Sequence, residues 1–382
     1  MYIGATVTAT GAASITMNGT GGSGTISNDG VLIVTTISAV TGNITITGTG
    51  SGTSGIGVNN NSGTIRTTSS GTLTITGIGA GSSVGISNNS GDTIGGASQT
   101  GDITLNADSV DYSSGTFVTG SNLIVQPITA ALAIPIGTGG TNYMTAAGLQ
   151  AVGSSNVHIL FIGRSDGTHT ITLGDGSGNL TVNTTTWFRG QNFILTEPIS
   201  SSGNAVTLLG NTANNTVTGA NINSIWDLTT ANGGLINSVG VRYQNIQNLT
   251  GGTADDTFKF YNGGSVSGIV DGGNNSGNTL DYTNYSLPVY IDMTNKTATA
   301  TGGWNRIQFF LGHIIFPFAS EKNQDMFLAE RNSDLFRLLS PIFYMENKIA
   351  REKLLKDYAP LAINTEYNPF TTSIDEEIEN EE

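Results

Sequence analysis

The sequence contains no cysteine. That excludes disulfides, thiolate metal sites and cysteine nucleophiles. Charge is scarce: Asp, Glu, Lys and Arg together make 11% of the chain, against ~25% in an ordinary globular protein. Positive charge is scarcer still, with 14 Lys and Arg against 28 Asp and Glu and a net charge of −14. A phosphate backbone would be repelled, so general nucleic-acid binding is excluded. There is no long hydrophobic run. The most apolar stretch, residues 309–319 (FFLGHIIFPFA), has 11 residues and contains Gly312, His313 and Pro317, whereas a membrane span needs ~20. The opening MYIGATVTATG lacks the basic and apolar regions of a signal peptide. It reads as though it starts inside a repeat, which leaves two expectations: the chain is part of a longer exported protein, or it is not exported.

Glycine is abundant, 53 of 382 residues. No Gly-X-Y period accompanies it, so collagen is excluded. The glycine content and the lack of heptads exclude a coiled coil. Charge divides the chain. Residues 1–303 carry 6 Lys or Arg and 14 Asp or Glu, while the much shorter 304–382 carries 8 and 14. We therefore read a body over 1–303, regular to about residue 120 and irregular over 121–303. A last strand with a helical cap follows over 304–374, and an acidic, disordered tail over 375–382.

Repeats organise the body. Ile15-Thr16-Met17-Asn18-Gly19 aligns with Ile44 to Gly48, Leu73 to Gly77 and Ile103 to Ala107, at offsets of 29, 29 and 30. Asn60-Asn61-Ser62-Gly63 matches Asn88-Asn89-Ser90-Gly91 at offset 28. A period of this size marks a solenoid. Each repeat alternates apolar residues with Thr, the period of a strand, and its β-branched residues suit a pleated surface. The expected fold is all-β: a right-handed parallel β-helix with inward Ile, Val and Leu, outward Thr and Asn, and stacked Asn amides. About ten rungs at ~4.8 Å would make it roughly 50 Å long. Residues 145–152 (TAAGLQAV), closed by Gly153, predict a short helix. Strands are expected at 157–163 and 168–174. A further repeat links Asn211 to Val217 with Gly252 to Phe258 at offset 41.

The segments GGTADDTFKF (251–260), GIVDGGNNSGNTLDY (268–282) and 145–174 resemble the passenger modules of large bacterial exoproteins, the filamentous-haemagglutinin-like β-strand-repeat adhesins. The resemblance covers most of 1–303. It implies a secreted or surface-anchored β-helix used for adhesion, with glycans or proteins of host or bacterial cell surfaces as partners.

Residues 251–259 are also similar to the calcium nonapeptide G-G-x-G-x-D-x-U-x, with Gly251, Gly252, Asp256 and Phe258 in place and Ala254 where a glycine belongs. Gly251, Gly252, Asp255 and Asp256 are the candidate metal residues and calcium the candidate ion. Calcium wants 6–8 oxygen ligands, and the next segment, 272–280, offers no aspartate in the ligand position. No other cofactor is expected. An enzymatic reading, a polysaccharide lyase or hydrolase, would gather Asp255, Asp256, Asp271 and Asp281 with Lys259 for acid–base work. The competing reading is turn aspartates bonding their own backbone. Of the three histidines, His158, His169 and His313, none has metal-motif spacing, and the strand pair His158 and His169 is expected to lack partners. Runs such as Thr45/Thr47 and Thr72/Thr74/Thr76 could form the flat threonine face of an ice-binding solenoid, or simply serve as polar strand formers. Aromatics thicken in the second half (Trp187, Phe188, Phe193, Trp226, Tyr243, Phe258, Phe260, Tyr261, Tyr282, Tyr285, Tyr290, Trp304). Exposed ones could bind glycans, and buried ones would fill a wider core. In the tail, Ser320 can cap a helix, Pro341 breaks it, and a second helix is expected over 343–358. The pair would cover the last strand or dock a partner.

Overall fold

Alternation of a β-branched residue with Thr or Asn drives each local segment into a strand, and repetition stacks the strands. In the computed structural model, residues 1–315 are described apart from 25–27, 90, 113–114, 139–142, 154–156, 202 and 313. The expected helical cap and acidic tail fall in 316–382, outside the described residues. Strand makes 50% of the chain and helix 3%, which places it in the all-β class.

The sheets are overwhelmingly parallel, and successive turns of the chain add strands to the same ladders. A first ladder stacks Tyr2–Ile3, Val31–Ile33, Val58–Asn60, Ile86–Asn88 and Val110–Asp111. A second stacks Val7–Ala9, Thr36–Ala39, Thr64–Thr67 and Thr93–Gly95. A third stacks Ile15–Thr20, Ile44–Thr49, Leu73–Ile78 and Ile103–Asn106. The pairing residues here are those of the sequence repeat: Ile15 faces Ile44, Ile44 faces Leu73 and Leu73 faces Ile103. Ile44, Ile46, Leu73, Ile75, Ile103 and Leu105 are all fully buried. In the first ladder the side chain of Asn60 donates to that of Asn88 at 2.8 Å, so these amides do stack across turns.

The three-strand rhythm changes at Thr116–Gln126. Its first residues pair with Thr93–Gly95 and its last with Ile103–Asn106, so one 11-residue strand runs through both the second and third ladders. The third ladder then continues through Val157–Ile162, Thr186–Gly190, Val206–Gly210 and Val241–Gln244. A fourth ladder carries Ile134–Ile136, Thr170–Leu173, Asn192–Leu195, Thr216–Thr218, Asn248–Thr250, Val266–Asp271 and Thr301–Asn305. The expected helix forms at Ala146–Gly153. Thr145 caps it by accepting the Gly148 amide at 3.0 Å, and Leu149 and Val152 bury its inner side.

Two features depart from expectation. First, Gly233–Ile236 runs antiparallel between Ser224–Thr230 and Val241–Gln244, so the sheet is not purely parallel. Asn232 turns this hairpin at φ 54° ahead of Gly233, the Asn-Gly signature of a tight turn. Second, the 211–217 and 252–258 segments do not stack on each other. Val217 pairs with Leu249 and Phe258 with Trp226.

Some glycines are required by close approach. A Cβ on Gly48 would fall on the carbonyl oxygen of Gly57 and on the Val58 side chain, and the same contact recurs between Gly77 and Gly85. Gly48→Ala should therefore destabilise the stack by ~1–3 kcal/mol or more. Gly178→Ala, where an added methyl would meet nothing within 4 Å, should change stability far less. Urea midpoints of the two variants check this.

Candidate functional site

Along the third ladder every second side chain points away from the core, and in-register pairing lines these residues into columns. One column reads Thr16, Thr45, Thr74, Thr104, then Ile124, Phe161, Trp187, the covered Thr207 and the exposed Arg242. Its neighbour reads Asn18, Thr47, Thr76, Asn106 and Gln126, and resumes at Arg189, Leu209 and Gln244. Asn106 donates to Thr76 at 3.1 Å and Gln126 to Asn106 at 2.8 Å, so the Thr76–Asn106–Gln126 part of this polar column is bonded from strand to strand. The threonine face thus spans four strands and then gives way, at Ile124, to apolar and aromatic groups.

Phe161 and Trp187 are half-buried neighbours on this face, ring centroids 6.1 Å apart and planes inclined 52°. The Arg189 guanidinium lies over the Phe161 ring, 3.7 Å from its centroid, an arrangement worth ~0.5–2 kcal/mol. Partial burial lowers the Arg189 pKa from the usual arginine value, yet the group stays a cation at any physiological pH. Of the other aromatics of the second half, Tyr261 and Tyr285 are half-buried. Phe188, Phe193, Trp226, Tyr243, Phe258, Phe260, Tyr282 and Trp304 are buried, whereas Tyr290 is 52% exposed. Trp226 stacks on Phe258 at 5.4 Å and Phe260 on Tyr282 at 4.5 Å, so most aromatics fill the core.

The expected metal residues occupy a corner before Asp256–Tyr261. Gly251, Gly252 and Asp256 come together: the buried Asp256 carboxylate accepts the Gly252 amide at 2.9 Å and the Trp226 indole N–H at 3.3 Å. Asp255 is exposed instead and accepts the Asn275 side-chain amide. One carboxylate is thus buried and the other exposed, and among the described residues no three His, Cys, Asp or Glu gather to hold a metal. This arrangement does not build the oxygen cage that calcium requires.

The corner has a structural use. The backbone amide of Asp256 donates to the Asn278 side chain at 3.0 Å, and that of Asn278 to Gln308 at 3.0 Å. Thr67 donates to Gln99 at 3.1 Å and Asn215 to Gln247 at 2.9 Å in the same way. In each, an N–H at or beside a strand end is satisfied by an amide oxygen from a later turn, as a buried donor must be. That is the physical link between the 211–217 and 252–258 segments: each supplies a corner residue, on different faces.

The remaining acids are separately engaged. Arg306 holds Asp271 with two bonds of 2.5 and 2.6 Å, and Lys259 sits 3.8 Å from Asp281. His158 is exposed. His169 is not without partners, contrary to expectation: its buried ring lies 3.0 Å from the Ala130 carbonyl and 2.8 Å from that of Arg189. His313 lies outside the described residues.

No family model, curated protein or solved structure matches the chain. The outward aromatic face was hidden in the sequence because Trp187 and Trp226 both sit in strands. Only the parity of each, carried up the ladder from Thr16, separates them.

Two outcomes follow from the corner. Removing calcium with a chelator should leave the strand circular dichroism unchanged; strand signal that needs calcium would contradict this geometry. Burial pushes the Asp256 pKa up to about 6, above the unfolded value of ~3.9. Its contribution to stability is then fully present below pH ~4 and is lost as pH rises through about 6, a swing of at most ~3 kcal/mol. Asp256→Asn should flatten that part of the stability–pH curve. An unchanged slope would show that the carboxyl titrates normally.

Proposed function

We infer that the chain is a structural and adhesive segment of a secreted or surface-exposed bacterial repeat protein. In this reading the ladders wind as a right-handed parallel β-helix. It is a stiff, non-catalytic rod that holds an outward face against glycans or proteins of a cell surface. The observation that carries the reading is the position of Trp187 beside Phe161 and Arg189 on the outer column of a polar stack. Trp and Arg are the residues most often dominant in binding interfaces, and a half-buried indole on a rigid sheet loses little freedom on contact. The resemblance of 251–260 and 268–282 to exoprotein passenger modules supports export and adhesion. Contact would be multivalent, with many weak sites acting together. No helix among the described residues is long and apolar enough to cross a membrane.

Trp187→Ala should lower attachment of the protein to immobilised cells or cell-wall glycans about tenfold, the loss expected of one interface anchor, with the melting temperature unchanged. Attachment equal to that of the wild type would remove this face from the function. Collisional quenching gives an independent check on the site. Of the three tryptophans, Trp226 and Trp304 are buried, so the quenchable fluorescence should disappear in Trp187→Phe.

A further inference from the structure

We propose that the Trp187 face takes an acidic polysaccharide, a sugar chain bearing carboxylate groups, with Arg189 and Arg242 as its anion-binding pair. This rests on the reading above that the face contacts glycans, and goes on to name the charge class.

Among the described residues, some Lys and Arg side chains are paired with acids and others are not. Arg164 is held by Asp166 through two bonds and by the Ile128 carbonyl. Arg306 is held by Asp271 and Asn274. Lys259 lies beside Asp281. Arg189 and Arg242 differ. Among the described residues neither guanidinium has a carboxylate within salt-bridge reach or donates a hydrogen bond. Each offers five N–H donors in a fork that matches a carboxylate. Arg66 and Lys296 are likewise unpaired, but Arg66 stands on the second ladder and Lys296 in a turn, and neither has an aromatic contact.

The two free guanidinium groups share the face with Trp187. Arg189 follows it by two residues on the same strand, and Arg242 stands two strands further along the same column. Strand spacing puts Trp187 and Arg242 ~10 Å apart, on the order of two sugar units. Arg189 already covers the Phe161 ring, so the half-buried Trp187 is the aromatic left to meet a sugar, and Phe161 braces the guanidinium beside it. The Arg189 backbone is tied to the next ladder by the His169 ring at 2.8 Å. The guanidinium itself is held by the Phe161 ring before any ligand arrives, which reduces the ordering cost of binding. A neutral glycan would use Trp187 and leave both forks unpaired. An acidic one satisfies all three groups, and its charge is opposite to theirs although the protein as a whole is acidic.

The test uses the full chain and a matched pair of polymers: polygalacturonate and its fully methyl-esterified form, which has the same backbone without the charge. Titration calorimetry should show at least tenfold tighter binding of the acid, weakening as salt is raised. Arg189→Gln combined with Arg242→Gln should reduce acid binding to the level of the ester, Trp187→Ala should weaken both, and Arg66→Gln should retain the preference. Circular dichroism confirms that each variant is folded. Equal binding of acid and ester, or a preference that survives the double arginine change, overturns the proposal while leaving an adhesive face in place. Polyglutamate bound as tightly as polygalacturonate overturns it in favour of an acidic protein partner. Binding of neither polymer overturns it as well, and the Trp187→Ala attachment assay then decides the adhesive reading separately.

Discussion

The structure depends on one constraint: backbone hydrogen bonds between turns of the chain must stay in register. In a parallel ladder a slip by one residue would exchange the inner and outer faces of a strand. Register holds Ile15, Ile44, Leu73 and Ile103 over one another inside. It also places Thr16, Thr45, Thr74 and Thr104 over one another outside. Core and surface are two readings of the same pairing. The corners obey the constraint too, because an N–H at or beside a strand end finds an amide oxygen one turn on, as Asp256 finds Asn278 and Asn278 finds Gln308.

Much of this was legible in the sequence, for a physical reason. Where turns have nearly equal length, pairing residues recur at a fixed offset, and the repeat can be aligned by eye. Ile44 and Asn88 could be placed in this way. The short helix before Gly153 was marked by its composition and stop. Beyond Gly120 the turns differ in length, because a corner is lost within Thr116–Gln126 and the helix and a hairpin are inserted. Fixed offsets then mislead, as they did for 211–217 and 252–258. The hairpin carried its own signal, Asn232-Gly233, but within a chain so rich in Asn and Gly that pair does not stand out.

The candidate sites show the same division. The Gly-Gly-x-x-Asp-Asp run looks like a metal motif because both uses, ion and corner, need glycine for close approach and a short acceptor side chain. Burial of Asp256 under the Trp226 indole separates the two. The aromatic face could be found only by carrying inside–outside parity along the ladder, which requires every pairing in between. Its arginines draw meaning from contrast with Arg164, Lys259 and Arg306, which among the described residues sit with acids.

The measurement that tests this account most directly is a distance along the outer column. The absence of native cysteine allows spin labels to be placed at Thr16→Cys and Phe161→Cys alone. These positions are separated by five ladder steps through residues 45, 74, 104 and 124. Strand spacing then predicts a narrow pulsed-resonance distance of ~24 Å, broadened only by the labels. A broad distribution, or a mean beyond ~40 Å on the same spacing, would contradict the in-register stack and with it the face built upon it.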